Sequence, residues 1–333
     1  MKNTIKRMLD NKAAVIPVLS FPSTQLLGIS VKELINSSDN QARGMQAIVS
    51  RCNIGASLNM MDLSVEAEAF GAKIHFCEDE IPTVAEGIIN DISKSGEIVV
   101  PAVGVGRTKI YIEGVKKAKA LISGIPVLCG VIGPYSLAGR LFDMTELMMS
   151  CFDNEEEVHV LLKKATSFLI KYINAFKAAG ADGVVMAEPA AGLLSPDLCE
   201  EFSNRCVKQI IDAVSGEDFV FIYHNCGNTV PLAEGLALLG ADAYHFGNAV
   251  KLEDIIEHFP QDTLVLGNLN PVLFKNADAG EVRCETRRIL ERCAKYKNFL
   301  LSSGCDIPAD SKWENIDAFF DEIKSYYREA ACK

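Results

Sequence analysis

Short apolar runs that alternate with longer amphipathic stretches are the feature that most constrains the fold of this chain. The runs are rich in β-branched residues and flanked by polar turns, which is typical of buried strands. Strands that alternate with helices pair in parallel, because each helix carries the chain back along the sheet. The predicted strands are residues 15–21, 57–61, 126–132, 183–187, 219–224, 243–246, 264–267 and 299–303, and the predicted helices include 155–179, 196–214, 252–259, 282–296 and 311–329.

The number of these units favours an α/β fold of the closed (β/α)₈ type, a TIM barrel. About eight units in 333 residues match such a barrel with insertions. Two helix-to-strand junctions read Gly-Ala-Asp, at residues 180–182 and 240–242, where the glycine predicts a left-handed helix cap. The alternative is an open doubly wound sheet, which is less favoured because no glycine-rich dinucleotide turn follows the first predicted strand.

No low-complexity linker divides the sequence. We therefore expect residues 1–333 to form a single catalytic domain, with an N-terminal helical extension that begins in the basic amphipathic stretch 1–7. The net charge of −11 argues against nucleic acid or an anionic membrane as a partner. No apolar run reaches the roughly 18–20 residues that span a bilayer. Eleven cysteines without a secretory signal indicate a reducing compartment, so we expect a cytoplasmic protein.

Three potential metal ligands follow two of the predicted strands. His224 and Cys226 lie at the end of strand 219–224, and Cys305 follows strand 299–303. In a parallel barrel both strand ends project from the face that carries the active site. One imidazole and two thiolates neutralise Zn²⁺ and leave a fourth position open, and this soft donor set selects zinc over magnesium or calcium. Taken alone, the spacing leaves ordinary packing of these residues as the alternative.

Other polar residues lie on the same predicted rim. Glu188 ends strand 183–187 and is predicted to be a conditional fourth zinc ligand or a general acid or base. Its alternative role is to cap the helix that begins near Ser195. His245 and Asn268, at the ends of two later strands, are predicted to contact substrate, with packing as the alternative for His245.

Four segments resemble a known family: MDLSVEAEAFG (61–71), IGPYSLA (132–138), HNCG (224–227) and GCDIP (304–308). Together they resemble the uroporphyrinogen decarboxylase superfamily, and within it the zinc-dependent corrinoid methyltransferases and the methyltransferase components of O-demethylases. The resemblance implies a (β/α)₈ barrel with a zinc site on His224, Cys226 and Cys305. It also implies an acidic ligand in some members, at the place of Glu188. Because the chain has no Asp-x-His-x-x-Gly motif, we expect a separate protein to carry the corrinoid.

Departures from the decarboxylase pattern favour methyl transfer over decarboxylation. Asp62 matches an aspartate of the decarboxylases and is predicted to orient or protonate the substrate, with a loop hydrogen bond as the alternative. Their arginine-rich N-terminal motif has no counterpart in residues 17–25, and a tyrosine of theirs is replaced near Arg140, a predicted substrate contact. Where they have Gly-His-Gly, this chain has Gly304-Cys305-Asp306. A tetrapyrrole rich in carboxylates would therefore lack its usual partners.

The expected function is a zinc-dependent transfer of a methyl group between a corrinoid protein and a small molecule. The small molecule is either a thiol that accepts the methyl group or a methoxylated or methylated compound that donates it. One alternative is a lyase of the decarboxylase type that acts on a tetrapyrrole or another carboxylated substrate. The other is a zinc-binding sensor or assembly partner without turnover.

Overall fold

In the computed structural model, which describes residues 2–332, seven strands form one sheet in which all neighbours are parallel. The strands in chain order are β1 (Ser57–Leu58), β2 (Lys73–His75), β3 (Thr83–Glu86), β4 (Val127–Ile132), β5 (Gly183–Ala187), β6 (Val220–Asn225), β7 (Ala243–Phe246), β8 (Leu264–Leu269) and β9 (Phe299–Ser303). The sheet order is β1-β4-β5-β6-β7-β8-β9, and β2 and β3 form a separate antiparallel pair. The order of the large sheet never reverses within the described residues. A doubly wound sheet reverses its order at a switch point, so this alternative is wrong.

Helices connect the strands. The α-helices are α1 (Asn3–Asp10), α2 (Ser23–Leu27), α3 (Val31–Ile35), α4 (Ser38–Arg51), α5 (Val65–Phe70), α6 (Thr108–Leu121), α7 (Pro134–Leu141), α8 (Met144–Asp153), α9 (Glu155–Ala178), α10 (Pro196–Cys199), α11 (Arg205–Val214), α12 (Ala233–Ala237), α13 (Val272–Asn276), α14 (Ala279–Cys293) and α15 (Trp313–Ala331). Shorter 3₁₀ segments are Ile92–Glu97, Pro189–Leu193, Val230–Leu232, Leu252–Asp254 and Ile256–His258, and a π-helical turn, Glu200–Asn204, joins α10 to α11. Within residues 2–332, no helix is both long and apolar enough to cross a membrane.

Two clusters of buried apolar side chains lie on opposite faces of the sheet. Successive residues of a strand point to opposite faces: Leu128 and Val185 belong to the smaller cluster, whereas Val127 and Val184 belong to the larger one. Every residue of β4 to β9 is buried. This explains why these strands are continuous apolar runs rather than alternating ones. Helix α1 packs its apolar side chains against the smaller cluster.

The two Gly-Ala-Asp junctions have the predicted geometry. Gly180 and Gly240 have φ angles of 97° and 75°, so the left-handed conformation predicted for both glycines is confirmed, although Gly240 lies three residues after the end of its helix. The aspartates join neighbouring strands: a carboxylate oxygen of Asp182 accepts a hydrogen bond from the Val127 amide at 2.7 Å, and one of Asp242 accepts from the Phe221 amide at 2.8 Å. Each repeat therefore ties the start of one strand to the start of the next.

Residues 15–18 lie between the two edge strands but form no ladder, so the strand predicted over residues 15–21 is wrong. Val15 makes a single parallel bridge to Ile54. On the other side, the Ser302 hydroxyl donates to the Ile16 carbonyl at 2.7 Å, and the Val18 amide donates to the Ser303 hydroxyl at 2.9 Å. Serine side chains thus replace the backbone groups of β9 as hydrogen-bond partners of this segment.

Two other predictions differ from the structure. The predicted helix 252–259 consists of two single 3₁₀ turns, because Pro260 follows it and a segment this short gains little from helical hydrogen bonds. Its apolar residues are buried nonetheless, including Leu252 and Phe259. The strand predicted over 57–61 is shortened to two residues. The remaining predicted strands agree with the structure to within two residues at each end.

Candidate metal centre

Two strand ends bring His224, Cys226 and Cys305 together. His224 lies in β6, Cys226 follows that strand directly, and Cys305 lies two residues after β9. The backbone near Cys226 is packed closely, since a Cβ atom on Gly247 would lie 2.5 Å from the Cys226 Cα atom. Glycine is therefore required at position 247 to let the residue that follows β7 approach Cys226, which follows β6.

The donor atoms of these three residues form a compact cluster. One ring nitrogen of His224 and the two Sγ atoms lie within 4.8 Å of one another, and His224 Nε2 is 3.7 Å from Cys305 Sγ. A hydrogen bond from the Cys305 thiol, and to a smaller extent the His224 ring, lower the pKa of Cys226 to about 4. The Cys226 thiolate beside it, together with burial, raises the pKa of Cys305 above its ordinary range. These shifts favour a thiolate at Cys226 and a thiol at Cys305, and a divalent cation bound by both sulfurs would displace the remaining proton.

The chemistry of this cluster fits zinc. One imidazole and two sulfurs, one of them held as thiolate, are the ligand types of catalytic zinc sites with an open fourth position. Every cysteine of the chain is a free thiol, and Cys226 and Cys305 are only partly buried. A cation at this place would remain accessible from one side.

His224 contacts a second histidine that was predicted to touch substrate. Its Nδ1 atom lies 2.6 Å from Nδ1 of His245 and 3.1 Å from the His245 carbonyl oxygen. The other ring nitrogen of His245, Nε2, is 2.8 Å from the Ser302 hydroxyl. Burial, and then the His224 ring, lower the pKa of His245 well below its ordinary value, so this ring is neutral.

Glu188 lies in the interior, where its carboxylate binds the N-terminus of helix α7. One oxygen accepts a hydrogen bond from the Tyr135 amide at 3.0 Å, and the other accepts from the amide and the hydroxyl of Ser136. The helix near Ser195 is capped by Ser195 itself, so the alternative cap role falls on a different helix from the one predicted. Burial raises the pKa of Glu188 to about 7, although these hydrogen bonds lower it. Within residues 2–332, Glu188 does not belong to the cluster of donor atoms.

Asp62 is buried in a network of polar side chains. One carboxylate oxygen accepts hydrogen bonds from the Ser64 amide and hydroxyl, at 3.0 and 2.6 Å. The other accepts from the Arg107 guanidinium and, at 3.0 Å, from the Tyr111 hydroxyl. Arg107 also donates to Glu68 at 2.5 Å. The carboxylate that was predicted to act on substrate is thus held by protein donors.

Arg140 is partly buried in the last turn of α7. Burial lowers the pKa of its guanidinium, and the charges of Glu66 and Asp62 oppose that effect. Within the described part of the chain, Arg140 forms no hydrogen bond or ion pair. Glu66 accepts a hydrogen bond from the Ile132 amide at 3.0 Å, its other oxygen is buried without a partner among residues 2–332, and burial raises its pKa to about 7.

The remaining predicted substrate residue, Asn268, supports a loop. Its amide nitrogen donates to the carbonyl oxygens of Gly247 and Val250, at 2.9 and 2.7 Å. This fixes the turn after β7, which lies against Cys226.

The sequence reasoning missed several residues of this region: Glu66, Arg107, Tyr111, Ser302 and Asp306. Both carboxylate oxygens of Asp306, next to Cys305, are buried without a hydrogen-bond partner in the described chain. A signal for two of them was present, since Glu66 follows Asp62 by four residues within the MDLSVEAEAFG segment and Asp306 belongs to the GCDIP segment. Arg107 and Tyr111 come from another helix, and nothing local marks them.

Comparisons with known proteins identify similar chains. The sequence model of the uroporphyrinogen decarboxylase (URO-D) family matches residues 15–326. The chain is 24% identical over 273 residues to the methylcobamide:CoM methyltransferase MtbA of Methanosarcina acetivorans, covering 80% of this chain and 78% of that protein. It is also 24% identical over 299 residues to the uroporphyrinogen decarboxylase of Vesicomyosocius okutanii, covering 84% and 82% respectively.

Solved structures establish the overall fold. A methyltransferase from Methanosarcina mazei matches with a TM-score of 0.85 at 22% identity, and the match covers 98% of this chain and 100% of that one. A B12-independent methionine synthase from Shewanella sp. W3-18-1, in complex with selenomethionine, matches with a TM-score of 0.63 at 14% identity, over 92% of each chain.

Proposed function

Because the chain belongs to the uroporphyrinogen decarboxylase (URO-D) family, we propose that it is a zinc-dependent methyltransferase of that family. It moves a methyl group between a corrinoid held by a separate protein and a small thiol or a methoxylated or methylated substrate. The main support for this proposal is the cluster of donor atoms from His224, Cys226 and Cys305, which lie within 4.8 Å of one another. The similarity to a methylcobamide:CoM methyltransferase supports the type of reaction.

In this proposal His224, Cys226 and Cys305 hold the zinc ion. Zinc bound there acts as a Lewis acid on a thiol or on a leaving-group oxygen of the substrate. Binding of the ion by both sulfurs would release the proton that remains on the Cys305 thiol, so metal affinity should increase with pH. Both cysteines are only partly buried, so a substrate atom could approach a zinc ion held there.

Glu188 is proposed to exchange a proton with the substrate. Its pKa of about 7 suits a group that both accepts and releases a proton near neutral pH. Ligation of zinc by Glu188 would require its hydrogen bonds to Tyr135 and Ser136 to break. We therefore assign Glu188 to proton transfer first, and to a fourth-ligand role only in a rearranged state.

Arg140 and the Asp62 network are proposed to orient the substrate. Arg140 forms no hydrogen bond or ion pair within the described residues, although the charges of Glu66 and Asp62 act on it, and such a guanidinium suits an anionic group on the small molecule. Asp62 acts through Arg107 and Tyr111, which its carboxylate binds, and is thus a positioning residue. Asn268 acts similarly on the loop that packs against Cys226.

We extend the proposal to the architecture. Residues 15–18 contact Ile54 on one side and β9 on the other, which supports a closed barrel of the (β/α)₈ type in which this segment, without forming a ladder, takes the place of one strand. We propose that residues 1–333 form one catalytic domain, with α1 as its N-terminal extension. The small apolar cluster, to which α1 contributes, supports this assignment.

One observation favours a second candidate, a lyase of the decarboxylase type. Arg140 is a cation that feels the charges of Glu66 and Asp62 but forms no hydrogen bond or ion pair within residues 2–332, and such a group also suits a substrate with several carboxylates. This candidate predicts turnover of an acidic tetrapyrrole and no dependence on a metal.

The test combines metal analysis with a cobalt spectrum. Purified wild-type protein should carry about one zinc per chain, and the double variant Cys226→Ser/Cys305→Ser should carry none, whereas Cys284→Ser, at an exposed cysteine, should bind zinc normally. The zinc-loaded protein, mixed with methylcobalamin and a panel of thiols, or with Co(I) cobalamin and methoxylated compounds, should change the cobalt absorption spectrum. Zinc binding without any spectral change would leave the sensor, and absence of zinc with decarboxylation of a tetrapyrrole would leave the lyase.

A further inference from the structure

We infer that His245, together with Ser302, is a positioning residue that fixes the tautomer of His224, so that Nε2 of His224 is the nitrogen offered to a metal ion. This inference rests on the proposed function, because it takes His224 as a ligand. Three consecutive hydrogen bonds support it: they join Ile16 to Ser302, Ser302 to His245, and His245 to His224. The direction of the first one fixes the directions of the other two.

The chain begins at Ser302. Its hydroxyl oxygen lies 2.7 Å from the Ile16 carbonyl oxygen, and a carbonyl can only accept a hydrogen bond. The single hydroxyl proton of Ser302 is therefore directed to Ile16. In its contact of 2.8 Å with Nε2 of His245, Ser302 must be the acceptor, so Nε2 of His245 carries a proton.

The next contact joins the two histidines. A neutral imidazole has one N–H group and one acceptor nitrogen, so with Nε2 protonated, Nδ1 of His245 is the acceptor. The distance of 2.6 Å between the two Nδ1 atoms then requires the proton to lie on Nδ1 of His224. The carbonyl oxygen of His245, at 3.1 Å from the same atom, is a second acceptor for that proton.

Both acceptors that face Nδ1 of His224 thus belong to one residue. With its proton held on Nδ1, neutral His224 has a lone pair on Nε2, the atom that lies 3.7 Å from Cys305 Sγ. A ligating histidine usually donates its second ring N–H to such an acceptor, which orients the ring and raises its basicity. His245 is only 3% exposed and has both nitrogens engaged, which favours this role over contact with substrate.

The first test measures zinc affinity by competition with a chromogenic chelator. His245→Leu removes the ring acceptor at similar size and should weaken zinc binding by about 10- to 100-fold. His245→Asn places an amide oxygen near the position of Nδ1 and should retain affinity within about threefold, since its oxygen can still accept from His224. Zinc binding by His245→Leu that equals wild type would overturn the inference.

Ser303→Ala provides a matched control. Ser303 is a buried serine of the same strand, and its hydroxyl binds the Val18 amide rather than a histidine. This variant should bind zinc as wild type does, whereas Ser302→Ala should weaken binding because it removes the acceptor that fixes the His245 proton. Equal loss in both serine variants would overturn the inference, because it would trace the effect to general destabilisation of β9.

The second test needs no metal, and a variant is used only to assign the signals of His224. Long-range ¹H–¹⁵N spectra of metal-free protein labelled at its five histidines report which nitrogen of each ring is protonated, and loss of one signal set in His224→Gln assigns His224. We expect a proton on Nδ1 and none on Nε2. A proton on Nε2 of His224 would overturn the inference even if zinc binds. The expected tautomer in a protein that binds no zinc would support the positioning role and remove the proposed function.

Discussion

Nε2 of His224 lies 3.7 Å from Sγ of Cys305, although 81 positions separate the two residues in the chain. Their strands, β6 and β9, are three places apart in the sheet. In a flat sheet such strands lie about 14 Å apart. The contact therefore requires a sheet that curves so that its carboxyl ends converge, and this convergence forms the candidate metal centre.

Glu188 provides a prediction on stability that also tests its role as ligand. Glu188→Ala removes the acceptor of two buried amides and one hydroxyl, and we expect the free energy of unfolding to fall by about 2–4 kcal/mol, since each buried donor left unpaired costs about 1–3 kcal/mol. Glu188→Gln keeps one acceptor oxygen and should lose less. Zinc affinity should stay within about threefold of wild type in both variants. A loss of zinc from Glu188→Gln would instead show that Glu188 is a ligand.

Arg107 provides a second prediction on stability. Its guanidinium is 4% exposed and binds Asp62, whose side chain is fully buried, with 0% exposed. Arg107→Met leaves that carboxylate without its counter-ion, and we expect a loss of about 3–5 kcal/mol in chemical denaturation. Lys208→Ala breaks an exposed ion pair with Asp212 and should change stability by less than about 1 kcal/mol. Similar small effects of both substitutions would contradict the structural role of the Asp62 network.

Arg140 provides a prediction on substrate choice. If its free guanidinium binds an anionic group, Arg140→Gln should raise the KM of an anionic thiol such as 3-mercaptopropionate by about 10- to 100-fold, because a charged hydrogen bond contributes about 1.5–3 kcal/mol. The KM of the neutral 2-mercaptoethanol should change little. The exposed Arg288→Gln variant should affect neither thiol. An equal rise for both thiols would argue against recognition of charge.

Glu66 provides a prediction on pH dependence. Burial raises its pKa from 4.5 to about 7, so the folded protein holds a proton that the unfolded chain has released, and stability falls as pH rises through this window. Glu66→Gln cannot ionise. Its free energy of unfolding relative to wild type should therefore increase by up to about 3 kcal/mol between about pH 5 and about pH 8.

The matched control for this pH dependence is Glu97→Gln, at an exposed glutamate, which should follow the wild-type profile at every pH. Parallel profiles of Glu66→Gln and wild type would mean that the Glu66 carboxyl titrates near its ordinary value in the folded protein.

The order and type of the central elements could be read from the sequence. Strands such as 183–187, 243–246 and 299–303 agree with the structure at both ends, because a strand buried on both faces is a continuous apolar run. The segment 15–18 misled the same reasoning. It is apolar as well, but it forms hydrogen bonds with the side chains of Ser302 and Ser303. These partners lie nearly the whole chain away, so the local sequence does not indicate them.

By itself, the sequence determined the alternation of strands and helices, and it placed His224, Cys226 and Cys305 at strand ends, because periodicity and ligand chemistry are local properties. Only the tertiary structure decided which polar groups face one another. It paired His245 with His224, placed Glu188 on the N-terminus of α7, and surrounded Asp62 with Arg107 and Tyr111. These contacts depend on the curvature of the sheet and on burial, which many distant residues set together.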